Sequence, residues 1–357
     1  MMDEVGLSGR TDKECRVVSA DSSSGEPIVV GSASSSGDAA LPKVAVIVPC
    51  YNEALTIAKV CDDFRSVLPQ ADLFVYDNNS SDGTGDIARA HGATVRSERR
   101  QGKGNVMRQA FREVEADVYV MIDGDDTYPV ESVHDLLAPV LAGEADLVMG
   151  DRLSNDSYAS ENKRQFHSFG NDLVRWMIKR LYGAPIKDAM TGYRVMTRSF
   201  VKAFPMLAKG FEIEVEMDIE AIDKNWRVVE MPILYRDRPQ GSFSKLSTVR
   251  DGFKVLAAVL GLFKDYKPLL LFSLFGGLAF VFGLVLGIPA IADFFKTGEV
   301  RLPTAFLASG ICLAGMLSLV CGLILDTIVK ANHKAYEVTV LGHYRRIGHD
   351  GNTDDRR

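Results

Sequence analysis

Two long runs without a single charge, Pro268 to Ala292 and Leu302 to Leu325, constrain this 357-residue chain more than any other feature. Each exceeds the roughly 20 residues that a helix needs to cross the hydrocarbon core of a bilayer. A backbone in lipid must satisfy its own hydrogen bonds, so the pair is expected to form two transmembrane helices, about 268–292 and 302–325, within a hairpin spanning 267–328. Lys264 and Lys267 precede the first run, and Lys330, Lys334, Arg345 and Arg346 follow the second. The connector balances Lys296 and Arg301 against Asp293 and Glu299. This bias places both termini in the cytoplasm and makes the bilayer the first expected partner. Residues 1–41 are rich in Ser, Gly and acids and lack an apolar core, so they are expected to be a disordered tail and not a signal peptide.

The formal charge of -6 argues against a nucleic-acid binder. Five cysteines without a C-x-x-C pair suggest neither disulfides nor zinc, and fit a reducing compartment. Ahead of the apolar runs, VAVIV (44–48), LFVY (73–76), ATV (93–95), VYVMI (118–122) and LVM (147–149) read as strands. Helical stretches at 56–68, 85–90, 105–114 and 130–141 separate most of them. Such alternation predicts a doubly wound, mostly parallel α/β sheet with its ligand at the C-terminal strand ends. The strand ends carry the most polar loops of the chain: Pro49-Cys50-Tyr51-Asn52-Glu53, Asp77 to Gly83, Gln101 to Gly104, and Asp123-Gly124-Asp125-Asp126. Three carboxylates that close repel one another unless a cation neutralises them, and hard oxygen ligands suit Mg2+ or Mn2+. Beyond Gly150 come an amphipathic helix at 166–181, an acidic helix at 211–224, the short strand VVEMPILY, and an alternating apolar and basic stretch at 248–266 that should lie on the membrane surface.

Two other chemistries are weighed on spacing. Gly83-Thr84-Gly85-Asp86-Ile87-Ala88 matches a dinucleotide fingerprint, but it starts six residues after Asp77 and not directly off the strand, so it reads as a turn and helix start. Asp123-Gly124-Asp125-Asp126-Thr127 matches the D-x-D-x-T of phosphohydrolases with an aspartyl nucleophile. Only one helix and one strand separate it from Gly150-Asp151, which leaves no room for the Ser/Thr and Lys such an enzyme needs. A membrane-bound phosphohydrolase using Asp123 therefore stands as an alternative, beside an inactive scaffold that keeps the fold.

PCYNE, YDNNSSDGT, GKGN, DGDD, TGYR and RPQGSFSK, in this order and ahead of two spans, resemble glycosyltransferase family 2, in its polyprenyl-phosphate branch. The resemblance implies a GT-A domain over 42–247 and inverting transfer of one sugar from a nucleotide diphosphate donor to a polyprenyl phosphate on the cytoplasmic face. By analogy the donor is UDP-glucose or UDP-N-acetylglucosamine. It further implies donor contacts from Pro49, Tyr51, Asn52, Glu53, Asp77, Lys103 and Asp123, and metal ligation by Asp123 and Asp125 with Asp126, Thr127 or water as third ligand. Turn and capping chemistry competes for Asn52, and a plain flexible turn for Lys103. Arg152, Arg164 and Ser168 are implied to hold the acceptor phosphate, and Arg238 and Lys245 to close over the pyrophosphate. Glu214 and Glu216 are left between base, sugar contact and helix-face solvation. Gly283 and Gly287 form a G-x-x-x-G that would pack the hairpin on itself or on a second copy, which leaves a homo-oligomer open.

Overall fold

The computed structural model describes residues 18–19, 41–154, 175–176, 178–180, 183–236, 238–239, 261, 263–299 and 301–350. The chain divides into two units, 1–252 and 253–357.

The first unit is built on one sheet. Its strands are β1 (Val18–Ser19), β2 (Val44–Cys50), β3 (Asp72–Asp77), β4 (Thr94–Ser97), β5 (Val118–Met121), β6 (Leu147–Asp151), β7 (Arg194–Thr197) and β8 (Val228–Pro232). They lie in the order β1-β8-β6-β7-β5-β2-β3-β4. Every pairing is parallel except those of β7, which runs antiparallel to both β5 and β6. Helices α1 (Ile57–Val67), α2 (Thr84–Ala90), α3 (Lys103–Glu113), α4 (Val133–Leu141), α5 (Arg198–Ala203) and α6 (Ile213–Asp223) supply the crossovers and cover. The central strands β5 and β6 are buried at every position, as expected where helices cover both faces of a parallel sheet. Val46, Val48, Val75, Val120, Ile122 and Val148 pack from the sheet against Ile57, Phe64, Val133 and Leu136.

The β2–β3–β4 half of the sheet grows in one direction and β5 is added on the other side of β2. The strand order therefore reverses between β2 and β5, and the crevice at their C-terminal ends is where a doubly wound sheet receives its ligand. Val44↔Val118 through Ile47↔Met121 set that register, and it brings the 49–53 and 123–126 loops side by side.

All five expected strands and the four crossover helices form, with ends displaced by one to three residues. The strand β7 and helix α5 were not anticipated from the sequence. Val18 and Ser19, within the tail expected to be disordered, pair with Val229 and Glu230 at the sheet edge. Most of the 166–181 and 248–266 helices lies outside the described residues.

The second unit is a helical hairpin, α7 (Pro268–Thr297) and α8 (Leu302–Asp350), in which both helices are long and apolar enough to cross a membrane. Pro268 opens α7 at its first turn, where no backbone donor is lost, and Gly298 closes it in the left-handed conformation with its N–H on the Phe294 carbonyl. A Cβ on Gly276 would stand 2.7 Å from the Gly315 carbonyl oxygen, and one on Gly315 the same distance from that of Gly276. Gly283 lies equally close to Cys312. The small residues Gly276, Gly283 and Gly315 thus let the two helices approach closely within the hairpin. Helix α8 continues to Asp350, past the 329 boundary set for a C-terminal tail, with no proline after Lys330 to break it.

Candidate active site

A cleft of about 270 Å³ opens at the reversal point between β2 and β5. Pro49, Cys50, Tyr51 and Glu53 form one wall, Asn78 and Gln101 to Lys103 a second, and Asp123, Gly124 and Asp125 the floor. Phe211 and Arg238 close it. Four loops read as converging from the sequence do converge here.

The two floor carboxylates are held differently. Asp125 is buried; its Oδ1 accepts from the Thr127 N–H at 3.2 Å and the Thr127 hydroxyl at 2.6 Å, and its Oδ2 is paired with the Arg238 guanidinium. Burial, then the Asp123 charge beside it, push its pKa up, and Arg238 and Thr127 pull it back. Asp123 is partly exposed to the cleft and is paired with the Lys103 ammonium. Lys103 is itself buried and also donates to Glu214 Oε1 at 2.6 Å. Burial alone would lower its pKa, but Asp123 and Glu214 outweigh that and hold it charged, above its ordinary range.

The glycines around these groups are there for close approach. A Cβ on Gly104 would overlap the Ala208 carbonyl, and Gly104 N–H instead donates to the Gly210 carbonyl at 3.1 Å. The 208–210 segment thus seals Lys103 from above, which makes Gly102-Lys103-Gly104 a packing element and not a loose turn. A Cβ on Gly192 would overlap the Asp123 carboxylate, so the TGYR glycine makes room for Asp123.

Asp126 points elsewhere. Its φ of 58° turns the side chain off the cleft and onto Lys59 of α1, at 2.8 Å. Asp77 and Asn52 serve the loops: Asp77 Oδ1 accepts from the Ser80 N–H at 3.0 Å, and Asn52, with φ 55°, accepts from the Ser81 N–H at 2.8 Å. Turn chemistry is the role the structure displays for Asn52. Among the described residues no group of three or more His, Cys, Asp or Glu side chains is gathered closely enough to hold a metal by itself. Two carboxylates flanking one glycine do match what Mg2+ or Mn2+ takes from a protein when substrate phosphates and water complete the shell.

On the other side of β5 the arginines are enclosed. Arg152 Nε and one terminal nitrogen donate to the two Asp188 oxygens at 2.7 and 2.9 Å, and the guanidinium lies over the Tyr128 and Tyr235 rings. Burial opposes each charge, yet the pair keeps Arg152 protonated and Asp188 ionised, below the usual carboxylate range. Arg194 is fully buried on Asp218 of α6. Arg164, Ser168 and Lys245 lie outside the described residues. Glu216 accepts from the Leu207 and Ala208 N–H groups and so pins the sealing segment. Sequence reasoning missed Asn78, which ties β3 to the next loop: its Nδ2 donates to the Glu98 and Arg100 carbonyls and its Oδ1 accepts from the Gly102 N–H at 2.7 Å. Its place directly after the β3 run was the only available signal.

A mostly parallel sheet with one antiparallel insertion, and an Asp-Gly-Asp turn at the reversal point, define a GT-A glycosyltransferase domain. The profile of glycosyl transferase family 2 matches residues 45–204. An uncharacterized protein of Shigella flexneri is 44% identical over 161 residues, which cover 44% of this chain and 99% of that protein. An undecaprenyl-phosphate mannosyltransferase of Micrococcus luteus is 29% identical over 219 residues, 57% of this chain and 88% of the relative. The glucosyl-3-phosphoglycerate synthase of Mycobacterium tuberculosis, solved with Mn2+, UDP and glucosyl-3-phosphoglycerate, shares the fold with a TM-score of 0.51 at 23% identity, over 62% of this chain and 80% of that one. The chain belongs to glycosyl transferase family 2.

Proposed function

We propose that this glycosyltransferase moves a single sugar, with inversion, from a nucleotide diphosphate donor to a polyprenyl phosphate at the cytoplasmic face of a membrane. The observation that carries the reading is the cleft itself: Asp123 and Asp125 on one floor, walled by the 49–53 loop and closed by Arg238. The M. luteus relative named for undecaprenyl phosphate supports the acceptor class, and the M. tuberculosis structure shows UDP and Mn2+ in a protein of this fold. The apolar hairpin gives a reason for a lipid-borne acceptor.

Asp123 and Asp125 would hold Mg2+ or Mn2+ together with donor phosphate oxygens, and a metal bound there supplies charge stabilisation to the departing diphosphate. Pro49, Tyr51 and Glu53 would line the nucleoside end. Arg238 lies close enough to the floor to move from Asp125 to a diphosphate oxygen, where its charge favours departure of the nucleotide; Lys245 would act beside it. A phosphate monoester has a second pKa near 6 and is largely dianionic at neutral pH, so the acceptor attacks the anomeric carbon without a protein base. Glu214 is accordingly not required as a base, and its carboxylate is engaged by Lys103. Arg164 and Ser168 remain the candidate contacts of the acceptor phosphate; Arg152, committed to Asp188, would shape that side and contribute its field. UDP-glucose and UDP-N-acetylglucosamine are the proposed donors.

The test supplies radiolabelled UDP-glucose, UDP-N-acetylglucosamine and GDP-mannose to the full-length protein in detergent, with and without undecaprenyl phosphate. Label should enter the lipid phase from one donor, only with lipid phosphate present. Phosphate release without acceptor would favour a hydrolase, and no turnover with any donor an inactive scaffold.

A further inference from the structure

Glu214 belongs to α6, a helix whose four acids at alternate positions, Glu214, Glu216, Asp218 and Glu220, are all buried. A carboxylate is costly to bury, so each needs a reason. Glu216 pins the 207–208 backbone and Asp218 pairs with Arg194, both within the fold. Glu214 is different, because its side-chain partner among the described residues is a lysine whose other carboxylate is on the cleft floor.

The geometry is that of a clamp. Lys103 Nζ bridges Glu214 Oε1 and Asp123 Oδ1, and the lysine side chain is 5% exposed. Gly102 and Gly104 let the 208–210 backbone close over the lysine, and Gly192 leaves the space that Asp123 occupies. Lys103 alone would neutralise Asp123 and weaken it as a cation ligand. Sharing the ammonium with Glu214 restores charge to Asp123: three carboxylates, Asp123, Asp125 and Glu214, against Lys103 and the Arg238 paired with Asp125 leave one negative charge, which becomes two when Arg238 leaves Asp125 for a diphosphate oxygen, the complement of one divalent cation.

We propose that Glu214, acting through Lys103, is a positioning residue that orients the Asp123 carboxylate and sets the charge of the cleft for a divalent cation bound with a nucleoside diphosphate. The proposal rests on the reading of this cleft as a metal–nucleotide site, and it gives Lys103 a different task from direct contact with the donor. Partners of this kind typically change metal affinity about 10–100-fold when removed.

The experiment measures Mn2+ binding to the full-length protein in detergent with saturating UDP, by the electron paramagnetic resonance of free Mn2+, with thermal unfolding recorded alongside. Glu214→Gln keeps shape and one hydrogen bond and should lower Mn2+ affinity about tenfold with little change in Tm. Lys103→Met strands the buried Glu214, leaves the partly exposed Asp123 without its hold, and is expected to lose both affinity and stability. The double variant Lys103→Met/Glu214→Gln leaves the net charge of the cleft unchanged but removes the hold on Asp123, so it should regain Tm while its Mn2+ affinity stays about tenfold down, a separation that a purely structural role would not produce. In an Asp123→Asn background, Glu214→Gln should cost nothing further. Wild-type Mn2+ affinity in Glu214→Gln or in the double variant, or an equal loss with and without Asp123, overturns the proposal. Failure of the wild type itself to bind Mn2+ with UDP overturns instead the metal–nucleotide reading on which it stands.

Discussion

The arginines on the two sides of β5 look alike in the sequence and do unlike things. Arg152 and Arg194 sit beside conspicuous motifs, yet both are enclosed, one bidentate on Asp188 between two tyrosine rings and one sealed on Asp218. Arg238 is paired with an acid too, but it borders an open cleft and its side chain is 29% exposed. An ion pair whose members are both buried ties elements of the fold together; one that faces a cleft can exchange its partner for a ligand. Motif position cannot separate the two cases, whereas burial can.

The sharpest way to break this contrast is to truncate an arginine on each side. Arg194→Ala leaves Asp218 without its partner in the core and should destabilise the protein by about 3–5 kcal/mol, read as loss of folded material or a large fall in Tm. Arg238→Ala should destabilise the protein less than Arg194→Ala, because Arg238 is partly exposed and Asp125 keeps the Thr127 N–H and hydroxyl. It should nevertheless slow turnover about 10²–10³-fold if it meets the diphosphate in the transition state. Equal effects on Tm from both variants would erase the distinction.

A weaker effect probes the enclosed side through pH. Glu230 is pushed up to about 7, first by burial and then, against the Asp188 and Lys187 N–H groups that it accepts, by the Asp151 and Asp188 charges. A carboxyl raised in the folded state binds its proton more tightly there than in the unfolded chain, so its contribution is present at low pH and is lost as pH rises through about 7. Thermal melts should therefore show a component worth up to about 3 kcal/mol that declines between pH 4.5 and about 7, at about 1.4 kcal/mol per pKa unit, and that Glu230→Gln removes. The smallest effect is expected at Asp126. Held on Lys59 outside the cleft, it should tolerate Asp126→Ala with turnover and Mn2+ affinity within about twofold and stability within about 1 kcal/mol.

The parallel half of the sheet was legible because its strands are short apolar runs ended by Pro, Asn, Asp or Gly, and these residues also mark the loops that line the cleft. The antiparallel strand Arg194–Thr197 was not, since four residues without alternation carry no period and its first member had been read as part of a motif. Asp123 and Asp125 were recognisable from their place at the end of β5. Asp126 misled, because adjacency in sequence says nothing about a backbone that turns to positive φ between neighbours. Lys103 and Glu214 are 111 residues apart, and only the packing of the 208–210 segment onto Gly104 brings them together.

The central claim is that the Asp123–Asp125 floor binds the donor, and the most direct measurement compares UDP release by the wild type and by Asp125→Ala, with undecaprenyl phosphate present, in Mn2+ and in excess chelator. The account predicts release by the wild type in Mn2+ alone, and none above background from Asp125→Ala in either condition. Full release by Asp125→Ala in chelator would contradict it.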